Sequence, residues 1–156
     1  MIEIQNFSTL EQQLGQEVAV SDWFEMPQER ISQFAETTED RQWIHIDAAR
    51  AAAESPYKTT IAHGFLTLSM VSGLLRNALK LPRYEMGVNY GLNRVRFMDA
   101  VPSGSRIRGR FVPTEIKEIG GGYQVVWTIT IEREGGVKPC CVAEWVLRYL
   151  LDSKQA

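Results

Sequence analysis

Gly64-Phe65-Leu66-Thr67-Leu68-Ser69-Met70-Val71-Ser72-Gly73-Leu74-Leu75-Arg76-Asn77-Ala78-Leu79 is apolar on most of its sides. A helix with apolar residues around most of its circumference must be buried by other elements. What buries it follows in the chain. Residues 87–97, 104–117, 122–134 and 138–150 are strand-like; in the third, Val125, Trp127, Ile129 and Ile131 fall on one face and Thr128, Thr130 and Glu132 on the other. Gly120-Gly121-Gly122 and Gly135-Gly136 mark hairpin turns between these runs. Helices gathered first and an antiparallel meander later make an α+β fold. Its economical form is a curved antiparallel sheet wrapped around one long central helix.

Upstream, Ser8 and Glu11 stand at capping-box spacing and Gly15 ends a short first helix. Residues 17–24 (EVAVSDWF) read as a strand. Pro27 suits the first position of a second helix, QERISQFAETT, with Ile31, Phe34 and Ala35 on one face. Residues 38–46 show no helical period and read as a loop. Asp47 caps a short alanine-rich helix that must stop near Ser55, before Pro56.

The 156 residues suit one domain, 1–156, around one core. Hydrophobic residues make up 44% and charged residues 23%, too apolar for disorder. A net charge of −2 gives no global basic field, so no nucleic-acid partner is expected. The only cysteines, Cys140 and Cys141, are adjacent and on a strand point to opposite faces, which fits free thiols in a reducing compartment. Residues 1–15 lack a basic flank and an apolar run, and no segment reaches the roughly 20 apolar residues of a spanning helix. The expectation is a cytoplasmic protein with no membrane partner.

Both histidines fall near the start of the apolar helix. Asp40 and His45 lie five apart, flanked by Trp43, Ile44 and Ile46. A carboxylate and an imidazole near apolar groups suit proton transfer at neutral pH and can together orient a water. The same residues also read as a surface carboxylate and a histidine that satisfies a backbone group. In Ile61-Ala62-His63-Gly64, glycine at a helix start lets a ligand oxygen approach an unpaired N–H, or simply makes a tight turn. Ser72, two turns further on, can bond a ligand or its own helix. A basic, polar stretch runs from Asn89, Tyr90 and Gly91 through Arg94 to Arg96 and Phe97, followed by Arg106, Arg108 and Arg110. It reads either as a face for phosphates or as the solvated side of a sheet. No metal site is expected, since no ligand pair has short C-x-x-C or H-x-x-x-H spacing, and no Gly-rich phosphate loop or G-x-S-x-G elbow is present.

Thr38-Glu39-Asp40-Arg41-Gln42-Trp43-Ile44-His45 resembles the hydratase-2 motif of MaoC-like proteins, which runs Ser/Thr-Gly-Asp-x-Asn-Pro-aliphatic-His. Ile61-Ala62-His63-Gly64-Phe65-Leu66-Thr67 resembles that family's second hallmark. Asn89 to Phe97 and Val101-Pro102-Ser103-Gly104-Ser105 are similar to its later strands. The likeness covers nearly the whole chain, and Gln42-Trp43 in place of Asn-Pro resembles the single-domain branch that includes nodulation protein N and mycobacterial (R)-hydratases. Glu39 stands where the motif has glycine and sets a second carboxylate beside Asp40.

The resemblance implies a hot-dog fold and the reversible hydration of a trans-2-enoyl-CoA to an (R)-3-hydroxyacyl-CoA in fatty-acid metabolism. It implies Asp40 and His45 as the acid/base pair, the Gly64 N–H on the thioester carbonyl, and Ser72, Gln42 and His63 in support. It makes Asn89, Tyr90, Gly91, Arg94 and Arg96 coenzyme A contacts, needs no cofactor beyond the coenzyme A of the substrate, and pairs two copies as a homodimer. A hot-dog acyl-CoA thioesterase and a non-catalytic acyl-thioester binding protein are the competing readings.

Overall fold

The structure, a computed structural model, describes residues 1–151. Strand β1 (Ile2–Glu3) and helix α1 (Phe7–Glu11) lead into β2 (Ala19–Val20), β3 (Phe24–Met26), α2 (Gln28–Thr38), α3 (Trp43–Ile46) and α4 (Ala48–Glu54). Then come α5 (Gly64–Ser69), α6 (Val71–Ala78), β4 (Leu79–Lys80) and the long strands β5 (Met86–Phe97), β6 (Ser105–Ile119), β7 (Gly122–Arg133) and β8 (Cys141–Leu150). The main sheet is antiparallel in the order β2-β6-β7-β8-β5, with β3 also on β6. β1 and β4 form a separate parallel pair.

The α5–α6 rod lies against this sheet, as its apolar circumference requires. Leu74 and the sheet residues Ile107, Phe111, Val125, Trp127, Ile129 and Ile131 are all buried in one core. Gly109 makes the approach possible: a Cβ there would lie 2.9 Å from the Phe111 ring and 3.3 Å from Leu74 Cβ. The result is the expected α+β, hot-dog arrangement. Along β7 the alternation read from the sequence holds, with Val125, Trp127, Ile129 and Ile131 buried and Thr128, Thr130 and Glu132 half-buried. Cys140 and Cys141 are buried and unbridged, and burial raises both thiols to about 11.

Several local expectations are corrected. The central helix is interrupted at Met70, where Ser69 Oγ donates back to Phe65 O (2.6 Å) and Thr67 Oγ1 to His63 O (3.2 Å). Such back-bonding bends helices. The strand expected over 17–24 is two short strands, because Ser21 Oγ takes the place of a ladder acceptor for Gly109 N (3.0 Å). Asn6, not Ser8, caps α1, accepting from Thr9 N at 2.8 Å. Pro27 sits one position before α2, at its N-cap. The segment read as a loop contains the single turn α3, too short to show a period. Asp47 caps α4 as expected, through Arg50 N (2.9 Å).

Glu39 has a physical explanation. It terminates α2 in the left-handed region (φ 62°, ψ 11°), the conformation that glycine adopts most easily after a helix. The motif's glycine is therefore a backbone requirement, and the Glu39 side chain is exposed. Glu39→Gly is expected to stabilise the fold by about 0.5–1 kcal/mol, after the entropy cost of glycine, and to leave catalytic rates near wild type. Thermal denaturation beside a rate assay checks both; a loss of rate would give the Glu39 carboxylate a chemical role.

Candidate active site

Asp40 and His45 are brought together from two supports. Asp40 directly follows the left-handed Glu39, and His45 sits on α3, which alone is too short to persist in water. Segment 60–63 holds both. Ile61 N donates to Ile44 O (3.1 Å), His45 Nδ1 donates to Ile61 O (2.7 Å), and His63 Nε2 donates to Asp40 O (2.9 Å). A carbonyl only accepts, so each of these ring nitrogens carries its hydrogen. The tautomer of His45 is thereby chosen, and its Nε2 keeps a lone pair.

His63 is the buried backing of the site. Its ring stacks on His45 at 3.7 Å with 25° between planes and meets Phe34 at 5.1 Å. It is 2% exposed, and its Nδ1 is buried without a hydrogen-bond partner among the described residues. The Asp40 carboxylate and one nitrogen of each ring lie within 4.8 Å of one another. Sequence spacing could not reveal this cluster, because its members join only in space. The cluster suits proton transfer well. Burial holds His45 below the ordinary histidine value, the neighbouring His63 adds to that, and the Ile61 bond and Asp40 oppose it.

Gly64 follows His63 and opens α5. A Cβ there would sit 3.0 Å from the Phe97 ring, so the position admits little more than glycine. Phe97 meets Phe65 edge-on at 5.8 Å. Gly64, Thr67, Phe97 and Met98 line a cavity of about 290 Å³.

The other expected residues lie elsewhere. Ser72 lines two further cavities, of about 280 and 310 Å³, together with Asn89 and Trp145. The Gln42 backbone carbonyl accepts from His45 N (2.9 Å), but its side chain is exposed and makes no hydrogen bond among the described residues. Trp43, in the place of the motif's proline, carries the Arg50 guanidinium at 4.4 Å.

On β5, Asn89 accepts from Trp145 Nε1 (2.9 Å), Tyr90 lies under Arg148 (3.4 Å), and Gly91 follows a register shift. Arg94 is exposed, and Arg96 donates to Val95 O (2.7 Å). Arg106, Arg108 and Arg110 do not form a phosphate face. They are ion-paired with Glu134, Glu132 and Glu17 across neighbouring strands, which is the solvated-sheet reading. Sequence reasoning missed Gln28, whose amide donates to His45 O (2.8 Å), and Thr60, whose buried hydroxyl donates to Gln28 Oε1. A lone glutamine in a helix's first turn gave no signal of this.

The lowered His45 value has a consequence for stability. The unfolded chain binds a proton on His45 at its ordinary value near 6.5, whereas the folded protein binds it only at lower pH. Stability is thus expected to fall as pH drops through the window beneath 6.5. Urea denaturation across that window should show the slope, and His45→Gln should flatten its histidine component.

Residues 9–134 match the family described as MaoC like domain. The chain is 44% identical over 137 residues to a 3-hydroxyacyl-thioester dehydratase Z of Mycobacterium tuberculosis, covering 87% of this chain and 90% of that protein. It is 45% identical over 135 residues to a nodulation protein N of Rhizobium leguminosarum bv. viciae, covering 85% and 84%. An R-hydratase from Pseudomonas aeruginosa in the unliganded form shares the fold, with a TM-score of 0.71 at 22% identity over 89% of this chain and 83% of that one. With its motif residues gathered on one hot-dog scaffold, the chain belongs to the MaoC-like dehydratase family and is a hydro-lyase of the dehydratase/hydratase type.

Proposed function

We propose that the chain hydrates trans-2-enoyl-CoA reversibly to (R)-3-hydroxyacyl-CoA in fatty-acid metabolism. The observation that carries this reading is the His45 tautomer beside a carboxylate: Nδ1–H is spent on Ile61 O, which leaves Nε2 free, and the His45 ring lies in one cluster with the Asp40 carboxylate. A neutral imidazole is what a base needs near pH 7, and the lowered His45 value supplies it.

Water held between Asp40 and His45 loses a proton to the pair as its oxygen bonds to C3. The C2–C3 double bond opens, and its electrons pass to the thioester oxygen as an enolate. The Gly64 N–H, at the start of α5, faces that developing charge. A proton returned by the pair to C2 completes the addition, so water is the only other reactant and no cofactor beyond the substrate's coenzyme A takes part. His63 backs the pair. Asn89, Tyr90, Gly91, Arg94 and Arg96 stay with this proposal as contacts for the coenzyme A tail, Arg94 being the exposed cation best suited to a phosphate. The two free thiols support a reducing cytoplasm as its compartment. No helix among the described residues is long and apolar enough to cross a membrane.

A second copy completes the assembly in this reading. β5 ends the strand order and exposes Met86, Tyr90, Leu92 and Phe97 beside a strand edge that has no partner among the described residues. Long exposed apolar edges are normally covered. The protein should scatter light as a homodimer, and Leu92→Glu should shift it toward monomer.

Loss of enoyl-thioester absorbance with crotonyl-CoA tests the reaction. Asp40→Asn and His45→Ala are each expected to slow it by about 10²- to 10⁴-fold while remaining folded. The product should be oxidised by an (R)-specific dehydrogenase and not by an (S)-specific one. Release of free thiol from acyl-CoA without change at C2–C3 would instead make the protein a thioesterase. Binding without turnover, unaffected by Asp40→Asn, would make it an acyl-thioester binding protein.

A further inference from the structure

We infer that Gln28, through Thr60, is a positioning residue for His45, an inference that rests on His45 acting as the base proposed above. His45 stands on a helix of four residues, which has too few internal hydrogen bonds to hold its own shape. Its carbonyl lies in the last turn, where helical carbonyls have no partner within the helix. Gln28 Nε2 supplies that partner at 2.8 Å.

The orientation of the Gln28 amide is dictated on both sides. The His45 carbonyl only accepts, so the NH₂ group must face it and Oε1 must face away. Oε1 is met by the Thr60 hydroxyl. Thr60 is 2% exposed, and Gln28 is the one partner of its hydroxyl among the described residues. A buried hydroxyl without a partner is costly, so the clasp holds from both ends. Ser32 Oγ adds a weaker hold on the same amide at 3.2 Å.

The clasp ties together three stretches that share no other element: the start of α2, the His45 turn, and the residue before Ile61. Ile61 O fixes the His45 ring at Nδ1, and Gln28 fixes the backbone that carries the ring. Two points of attachment set where Nε2 aims. With the Gln28 point removed, residue 61 is the remaining hydrogen-bond anchor of the turn beside the His63 stack, and Nε2 shifts relative to the Asp40 carboxylate. Gln28 touches no reacting atom in this scheme; it acts through His45.

Gln28→Met keeps the length and removes both polar atoms, and Thr60→Val keeps the shape and removes the hydroxyl. Each is expected to lower kcat on crotonyl-CoA by about 10- to 100-fold, with KM within about twofold, because displacement of a reacting group by about 1 Å costs that much. Thr60→Ser, which restores the donor, should return kcat to near wild type. The double variant Gln28→Met with Thr60→Val should lose no more than either alone, as members of one network do. In ¹⁵N NMR the wild-type His45 ring should show one Nδ1–H tautomer, and both deletion variants should keep it, held by Ile61 O, with shifted ring-nitrogen signals.

Folded Gln28→Met and Thr60→Val proteins with wild-type kcat and an unchanged His45 ring signal would overturn the inference and leave the hydratase reading standing. If Gln28→Met does not fold, the comparison of Thr60→Val with Thr60→Ser decides alone. Should the wild type hydrate no enoyl-CoA, the proposed function fails, while the ring signal still accepts or rejects the positioning role.

Discussion

The bond from His45 Nδ1 to the Ile61 carbonyl is the constraint on which the site depends. It chooses the tautomer, leaves Nε2 available, and fixes a turn too short to fix itself. Around it, backbone carbonyls act as the acceptors that organise side chains: Ile61 O for His45, Asp40 O for His63, and His45 O for Gln28. Carbonyls of the main chain have fixed positions and never donate, so they orient imidazole and amide groups without ambiguity. The chemistry rests on a frame of peptide groups.

That frame is anchored in turn by the sheet. Ala62 N bonds to Val101 O (2.8 Å), Ser103 N bonds to Thr60 O (2.8 Å), and Ile61 bridges to Pro102. Segment 60–63 is thus pinned to the chain just before β6 and passes directly into α5. The buried helix is packed on the sheet through Leu74 over Gly109, so any shift of the core would carry the His45 acceptor with it. His63 couples the two levels, since it is buried in the scaffold and stacked on His45.

Burial has opposite uses in different parts of the molecule. At His45 it favours the neutral imidazole. At Cys140 and Cys141 it keeps the thiols protonated and inert, although Cys140 lines the cavity beside Gly64. On the outer face of the sheet, partial exposure lets Arg106, Arg108 and Arg110 pair with Glu134, Glu132 and Glu17, which serves solubility and strand pairing rather than ligand binding.

The amino-acid sequence determined the α+β class, the four long strands and the central apolar helix, because period-two alternation and all-round apolarity are local consequences of burial. The Asp40–His45 pair was legible from its motif, and so was the Asp47 cap. Only the tertiary structure decided that α3 exists, that the helix bends at Met70, and that Glu39 occupies a glycine conformation. Only it stacked His63 on the His45 ring and recruited Gln28 and Thr60. The site contacts of His45, His63, Gln28 and Thr60 span 16 to 32 residues of chain. Residue type and periodicity report which face is buried, whereas a hydrogen bond between distant segments exists only once the core has set them side by side.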